Sequence, residues 1–214
     1  MSAVPDMLAP AELICMECGP EARLEREKLG RDGEIAVLRC NQCGDRHEVP
    51  VRPLFVIAGP SGAGKSTVTA PLRRLLLADC DVFDADLTWH LASAGHDNWR
   101  NTWLQLAHGI ALNGRATVLC GSLTPDQLER QPFRAAIGPI HFCLLDCTDD
   151  VRAARLRARP DHRDSSSDEV IIRHQRYAAW LRERISPCFD TSVVTPEETA
   201  AQVAAWVRDA LGRA

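Results

Sequence analysis

At 214 residues, with 45% hydrophobic and 25% charged residues, the chain is long enough for one α/β domain plus a small appendage. Its net charge of −4 argues against a dedicated nucleic-acid coat, and no stretch approaches the ~18 uninterrupted apolar residues of a membrane span. The opening Met1-Ser-Ala-Val-Pro-Asp6 lacks a basic-then-apolar leader pattern, so the expectation is a cytoplasmic chain with no membrane partner.

Residues 1–12 read as a tail, and residues 13–52 as a small module of their own. Cys15-Met-Glu-Cys18-Gly19 and Cys40-Asn-Gln-Cys43-Gly44 are two copies of CxxCG, with 21 residues between Cys18 and Cys40. A tetrahedral Zn²⁺ takes four thiolates, and each CxxC turn presents two sulfurs on one side, so Cys15, Cys18, Cys40 and Cys43 are the expected zinc ligands. Such a closed set leaves no open position, which makes the metal structural. Glu34–Arg39 reads as a strand entering the second knuckle and His47–Val51 as one leaving it. The module resembles a zinc ribbon, and His47 reads as a strand residue. The segment holds eight carboxylates against seven Lys/Arg, and a zinc with four thiolates adds two more negative charges. That balance favours a structural or protein-docking ribbon; nucleic-acid contact is the alternative.

Pro50 and Pro53 mark a boundary, because proline cannot extend a central strand. Beyond it, Leu54–Ala58 is an apolar run that leads directly into Gly59-Pro-Ser61-Gly62-Ala63-Gly64-Lys65-Ser66-Thr67, a match to GxxxxGK[ST]. This is a phosphate-binding P-loop. Its glycines let successive N–H groups point inward, Lys65 adds a point charge, Ser66 offers a hydroxyl to Mg²⁺, and the following helix aims its positive end at the same anion. Further strands are expected at Asp81–Phe83, Ala116–Cys120, Ile140–Leu145 and Ser192–Val194. Helices are expected at Lys65–Ala78, Asn98–Asn113, Thr124–Ala136, Asp149–Ala158, Asp168–Ile185 and Glu197–Leu211. This alternation predicts a P-loop three-layer αβα fold with a mostly parallel five-stranded sheet over residues 53–214, ligands gathering at the carboxyl ends of the strands.

The second strand ends Val82-Phe-Asp84-Ala-Asp86. Two carboxylates two residues apart on a strand share a face, so one can hold the Mg²⁺ shell while the other orients or deprotonates an acceptor hydroxyl. The alternative is an acidic loop that supplies a helix cap before Leu87, the class to which Asp79 and Asp81 belong. The third strand ends Val118-Leu-Cys120-Gly121-Ser122-Leu123 with no Asp after it, where a motor-type ATPase carries one; this favours phosphoryl transfer over motor activity. Gly121 would let an acceptor approach the backbone, or is a turn glycine. Asp150–His162 carries four arginines and reads as a short lid around residues 155–167, with Arg155 and Arg159 on one helical face and Arg152 and Arg157 solvated. Ser166-Ser-Asp-Glu169 reads as a capping box.

The P-loop turn, the Phe-x-Asp-x-Asp strand end and the short arginine-bearing lid together are similar to the shikimate and gluconate kinases, within the nucleotide and nucleoside kinases; the resemblance covers residues 54–211. It implies Mg-ATP as donor and a small-molecule acceptor. It assigns Asp84 to the metal, Asp86 to the acceptor, Arg155 to the adenine and Arg159 to the phosphates. Asp97-Asn-Trp-Arg100-Asn-Thr-Trp103-Leu resembles a gluconate-kinase stretch and makes Arg100 the candidate for an acceptor's anionic group. Gly121 and Ser122 match the segment beside that acceptor, and Asp190–Pro196 matches the loop along the adenine edge. One of Arg173, Gln175 and Arg176 matches the residue after the lid. The shikimate Gly-Gly-Gly and the gluconate Lys are missing after the third strand, so the acceptor stays unnamed among metabolites, nucleosides and nucleotides. The alternatives are a ribbon-bearing ATPase or 5′-hydroxyl kinase on nucleic acid, and a regulatory nucleotide-binding protein. The oligomeric state is open. Trp180 and Trp206 read as core, and Trp89, Trp99 and Trp103 as flanking the acceptor pocket. Cys80, Cys120, Cys143, Cys147 and Cys188 read as small core hydrophobes.

Overall fold

The computed structural model describes residues 14–19, 22–29, 34–160 and 165–212. The tail 1–12 and lid residues 161–164 lie outside the described residues. The N-terminal module is an antiparallel sheet of β1 (Leu24–Leu29), β2 (Ile35–Cys40) and β3 (Arg46–Pro50), in that order. The strand β1 was not expected: Leu24-Glu-Arg-Glu-Lys-Leu29 is an edge strand with a register shift between Arg26 and Lys28, and its charged, mostly exposed side chains hide the period of two.

Both knuckles close the same way. The Gly19 N–H donates to the Cys15 carbonyl at 2.8 Å and the Gly44 N–H to the Cys40 carbonyl at 3.0 Å. All four cysteines are free thiols whose sulfurs lie within 4.8 Å of one another, with Cys15–Cys43 at 3.5 Å and Cys18–Cys40 at 3.9 Å. Zn–S bonds of about 2.3 Å in a tetrahedron require sulfurs about 3.8 Å apart, so the four residues fit zinc. Backbone N–H groups of Cys43 and Gln42 push the Cys40 thiol down to about 6, toward the thiolate that a metal needs.

The body orders its sheet β5-β6-β4-β7-β8, and every adjacent pair is parallel. These strands are β4 (Leu54–Ala58), β5 (Cys80–Asp84), β6 (Ala116–Cys120), β7 (Ile140–Asp146) and β8 (Cys188–Asp190). The helices are α1 (Lys65–Leu75), α2 (His96–Ala111), α3 (Pro125–Glu129), α4 (Asp149–Arg157), α5 (Asp168–Arg182) and α6 (Pro196–Ala210). Strands β4 and β6 are buried throughout, as apolar runs covered on both faces must be. The strand period then divides β4 between two cores. Leu54, Val56 and Ala58 face Trp103 and Leu104 of α2 and Leu181 of α5; Phe55 and Ile57 face Val68 and Leu72 of α1 and Val203 and Val207 of α6. The result is a three-layer αβα sandwich.

Several boundaries depart from expectation for local reasons. The last strand is Cys188–Asp190, not Ser192–Val194: Asp190 accepts the Ser192 N–H at 2.8 Å, which turns the chain out of the sheet, and Val193 is 90% exposed. The expected helix Thr124–Ala136 is broken into α3 and a 3₁₀ turn at Pro132–Ala136, because Pro132 cannot donate to the helix. The cap of α5 is Ser167 rather than Ser166, and α6 has a capping box between Thr195 and Glu198. Cys80, Cys120, Cys143 and Cys147 are buried, with Cys120 pushed up to about 12 by burial, but Cys188 is exposed. Trp180 is exposed as well, stacked on Tyr177 and under Arg184.

The ribbon packs on the body. Arg26 donates to the Ile137 carbonyl at 2.8 Å, and Ala135 packs against Ala36, Leu38, Val49 and Val51. This junction sits where β4 and β7 begin, at the end of the sheet opposite the P-loop.

Protein purified under reducing conditions is expected to carry about one zinc per chain, lost in Cys40→Ser, as read by metal analysis. A chain shortened to start at Val51 is expected to fold and bind ATP; failure to bind would refute the division into two modules.

Candidate active site

The P-loop must turn its N–H groups inward, so its carbonyls need donors from outside. Gly62 and Gly64 adopt φ of 86° and 89°, a region that side-chain-bearing residues rarely enter. The carbonyls of residues 59–63 are then taken one by one. Gly59 O accepts from Lys65 Nζ at 2.8 Å and Ser122 Oγ at 2.9 Å, and Pro60 O from Lys65 at 3.1 Å. Ser61 O accepts from Arg152 at 3.4 Å, Gly62 O from Arg155 at 3.2 Å, and Ala63 O from Thr191 Oγ1 at 3.1 Å. Ser66 and Thr67 sit exposed in the first turn of α1.

Lys65 is electrostatically perturbed. Desolvation lowers it from 10.5 to about 8, while Asp86 and Asp84 favour its charged form and Arg159 opposes it. The P-loop lysine, both carboxylates and one lid arginine therefore gather at one place, at the carboxyl end of the sheet.

Arg152 corrects the expectation of a solvated residue: it is fully buried. Its guanidinium pairs with Asp146 at the end of β7 and donates to the Cys147 carbonyl at 3.0 Å; Arg182 of α5 binds the other Asp146 oxygen. The charge run on α4 hid this because α4 begins at the sheet edge, where Arg152 points under the P-loop. Arg157 is exposed, as expected, and pairs with Asp168.

Arg155 is held by Thr191, through Oγ1 at 3.0 Å and the carbonyl at 2.6 Å. A cleft of about 320 Å³ opens beside it, lined by Gly62, Gly64, Thr67, Arg159, Val194 and Pro196 among others. The loop after β8 thus borders the P-loop, where the resemblance puts an adenine.

On the other side, Asp84 ends β5 and Asp86 already belongs to a 3₁₀ segment, Ala85–Ala94. The shared-face argument therefore does not apply; instead Asp84 caps the segment by accepting the Asp86 N–H at 3.0 Å, and Asp86 stays exposed. Gly121 is explained by packing, since a Cβ there would lie 2.6 Å from the Ala85 Cβ. Ser122 holds the P-loop. Trp103 and Trp99 are buried and pin the segment through Ala85 O at 3.2 Å and Thr88 Oγ1 at 3.1 Å; Trp89 is half exposed. Arg100 pairs with Asp97 at 2.7 Å, and among the described residues no hydrogen bond or ion pair joins it to Asp84 or Asp86.

Two contributors were not singled out in the sequence. Thr191 and Asp146 brace the P-loop from the ends of β8 and β7, and their only signal was position after an apolar strand. His174 lies on the inner face of α5, beside the Arg173, Gln175 and Arg176 that the resemblance pointed to; Arg173 and Arg176 are exposed.

No family model matches the chain. A sugar kinase from Janibacter aligns with a TM-score of 0.54 at 19% identity, over 77% of this chain and 99% of its own. A putative kinase from Chloroflexus aurantiacus aligns at 0.51 and 14% identity, over 74% and 98%. The fold is that of the P-loop kinases. Shikimate kinases and a gluconokinase also match, at TM-scores of 0.46 to 0.49. Among curated proteins, a nucleotide-binding protein of Rhodospirillum rubrum is 30% identical over 163 residues, 72% of this chain. The chain spans about half (47%) of the length of that relative.

Replacing Arg152 with Met deletes the guanidinium and leaves Asp146, in a buried setting, with Arg182 as its one arginine. The expected loss is about 3 kcal/mol in urea-induced unfolding, with weaker nucleotide binding. Unchanged stability would remove Arg152 from the support of the loop.

Proposed function

We propose that this protein moves the γ-phosphoryl of Mg-ATP to a hydroxyl or phosphate of a small metabolite, nucleoside or nucleotide. The observation that carries the reading is the gathering of Lys65, Asp84, Asp86 and Arg159 at the mouth of a P-loop whose carbonyls from Gly59 to Ala63 all accept from side chains.

In this reading Lys65 and the P-loop amides hold the donor's phosphates, and residues around the cleft between Arg155 and Pro196 hold its base. Bound Mg²⁺ would neutralise charge on the phosphates; the oxygen donors of Ser66 and Asp84 suit that hard cation. Asp86, exposed beside the site, orients the acceptor hydroxyl or takes its proton. Arg159 stabilises charge on the transferred group. Arg100 reaches an acceptor's anionic group only by exchanging its pairing with Asp97. Gly121 and Ser122 form the floor on which the acceptor side rests. Catalysis is then mostly positioning and electrostatics.

The test is ATP consumption against a panel of hydroxylated metabolites, nucleosides, nucleotides and 5′-hydroxyl oligonucleotides, with the product phosphate located by mass spectrometry. Lys65→Ala is expected to cut turnover by at least about two decades with the fold intact, since it removes a phosphate contact and no core volume. Asp86→Asn is expected to lower kcat by roughly two to four decades while ATP binding survives. Full activity in the asparagine variant would reduce Asp86 to a cap-segment residue.

A further inference from the structure

His47 and Val49 share the inner face of β3, two residues apart, and Val49 packs into the ribbon core while His47 takes the position at the knuckle end of the strand. His47 pairs across the ladder with Leu38, two residues before Cys40, and its side chain is only 16% exposed. Its Nε2 is buried without a hydrogen-bond partner, since the Asp45 carboxylate lies 3.6 Å away, beyond hydrogen-bond length. A ring nitrogen, an Asp45 oxygen and the Cys15 sulfur lie within 4.8 Å of one another, but His47 does not join the cluster of four sulfurs. The imidazole therefore sits against Cys15, outside the tetrahedron.

The two knuckles are served unequally by N–H groups. In the second, Gln42 donates to Cys40 Sγ at 3.4 Å, the Cys43 N–H also favours the Cys40 thiolate, and the Asp45 N–H favours that of Cys43. In the first, among the described residues, no N–H group donates to the sulfur of Cys15 or Cys18, whose contacts are with Cys43 and Cys40. The residue that corresponds to Asp45 is Pro20, which has no N–H to give. Cys15 is also fully buried, so water does not replace the missing donor. A sulfur that carries part of the two negative charges of a four-thiolate zinc needs one. The unused donor beside it is His47 Nε2.

We propose that His47 is a positioning residue of the zinc centre, donating its Nε2–H to the Cys15 sulfur as the four thiolates close on the metal. It makes no bond to the metal itself. The hydrogen bond draws negative charge from Cys15, supplies the donor that the first knuckle lacks, and ties that knuckle to β3 by a link other than the metal. This rests on the zinc reading of the four cysteines.

The experiment loads the full-length chain with cobalt(II) in place of zinc and compares its sulfur-to-cobalt charge-transfer band with those of His47→Phe and His47→Gln; zinc affinity is read by chelator competition. A hydrogen bond lowers the energy of the sulfur lone pairs, so its loss moves the band to longer wavelength. The phenylalanine variant is expected to show that shift at unchanged band intensity and to hold zinc about tenfold less tightly. Glutamine, whose amide can donate, is expected to recover part of both. A ring that only filled space would be replaced by phenylalanine without moving the band, and native band position and affinity in that variant would overturn the proposal while leaving the zinc reading standing. A changed intensity, the mark of a changed thiolate count, would make His47 a ligand and overturn it as well. A native chain that takes up neither cobalt nor zinc would overturn both. Should both variants fail to bind cobalt, the native chain loaded with a magnetic cadmium isotope decides by NMR: coupling between the metal and the Nε2–H proton without a direct metal–nitrogen bond supports the proposal, and its absence overturns it.

Discussion

A loop that binds phosphate with its N–H groups must place its carbonyls somewhere else, and in this protein each carbonyl from Gly59 to Ala63 meets a side-chain donor, the donors coming from four places in the fold. Lys65 comes from α1, Ser122 from the end of β6, Arg152 and Arg155 from α4, and Thr191 from the end of β8. The parallel sheet makes this arrangement accessible, because it brings the carboxyl ends of β6, β7 and β8 to the edge where β4 enters the loop. The fold and the site are therefore one construction: the strand order that buries β4 also delivers the donors.

The electrostatics follow from the same placement. Asp146 accepts from Arg152 and Arg182, and Asp149 lies 3.8 Å from both guanidiniums, so two carboxylates balance two arginines under the loop. Lys65 is desolvated and has Arg159 near it, which is why its ammonium is weakened despite two carboxylates nearby.

The apolar runs and the glycine pattern were legible because they are set by local chemistry. Leu54–Ala58 and Ala116–Cys120 are strands residue for residue, and the paired CxxCG turns bring their four sulfurs together. What was hidden depends on tertiary context. Arg152 and Arg157 are chemically identical in sequence and lie on one short helix, yet one is fully buried and the other exposed; only the placement of α4 against the P-loop separates them. Asp84 and Asp86 looked like neighbours on a strand face because nothing in Ala85–Ala94 announces a 3₁₀ segment, whose position is fixed by Trp99 and Trp103 from α2. The edge strand β1 was hidden by its charges, which are the usual protection of an edge.

The ribbon is attached at the opposite end of the same sheet. Its contacts fall on Ile137 and Ala135, just before β7 begins, whereas the phosphate loop and Asp146 lie where β4 and β7 end. A strand of five to seven residues separates the two ends by roughly 17–24 Å at about 3.4 Å per residue. At that distance the exposed charges of the ribbon are screened from the site at physiological salt. Any influence of the ribbon on the site must therefore pass through the positions of β4 and β7, the two strands that carry the P-loop and Asp146, and not through charge or direct contact.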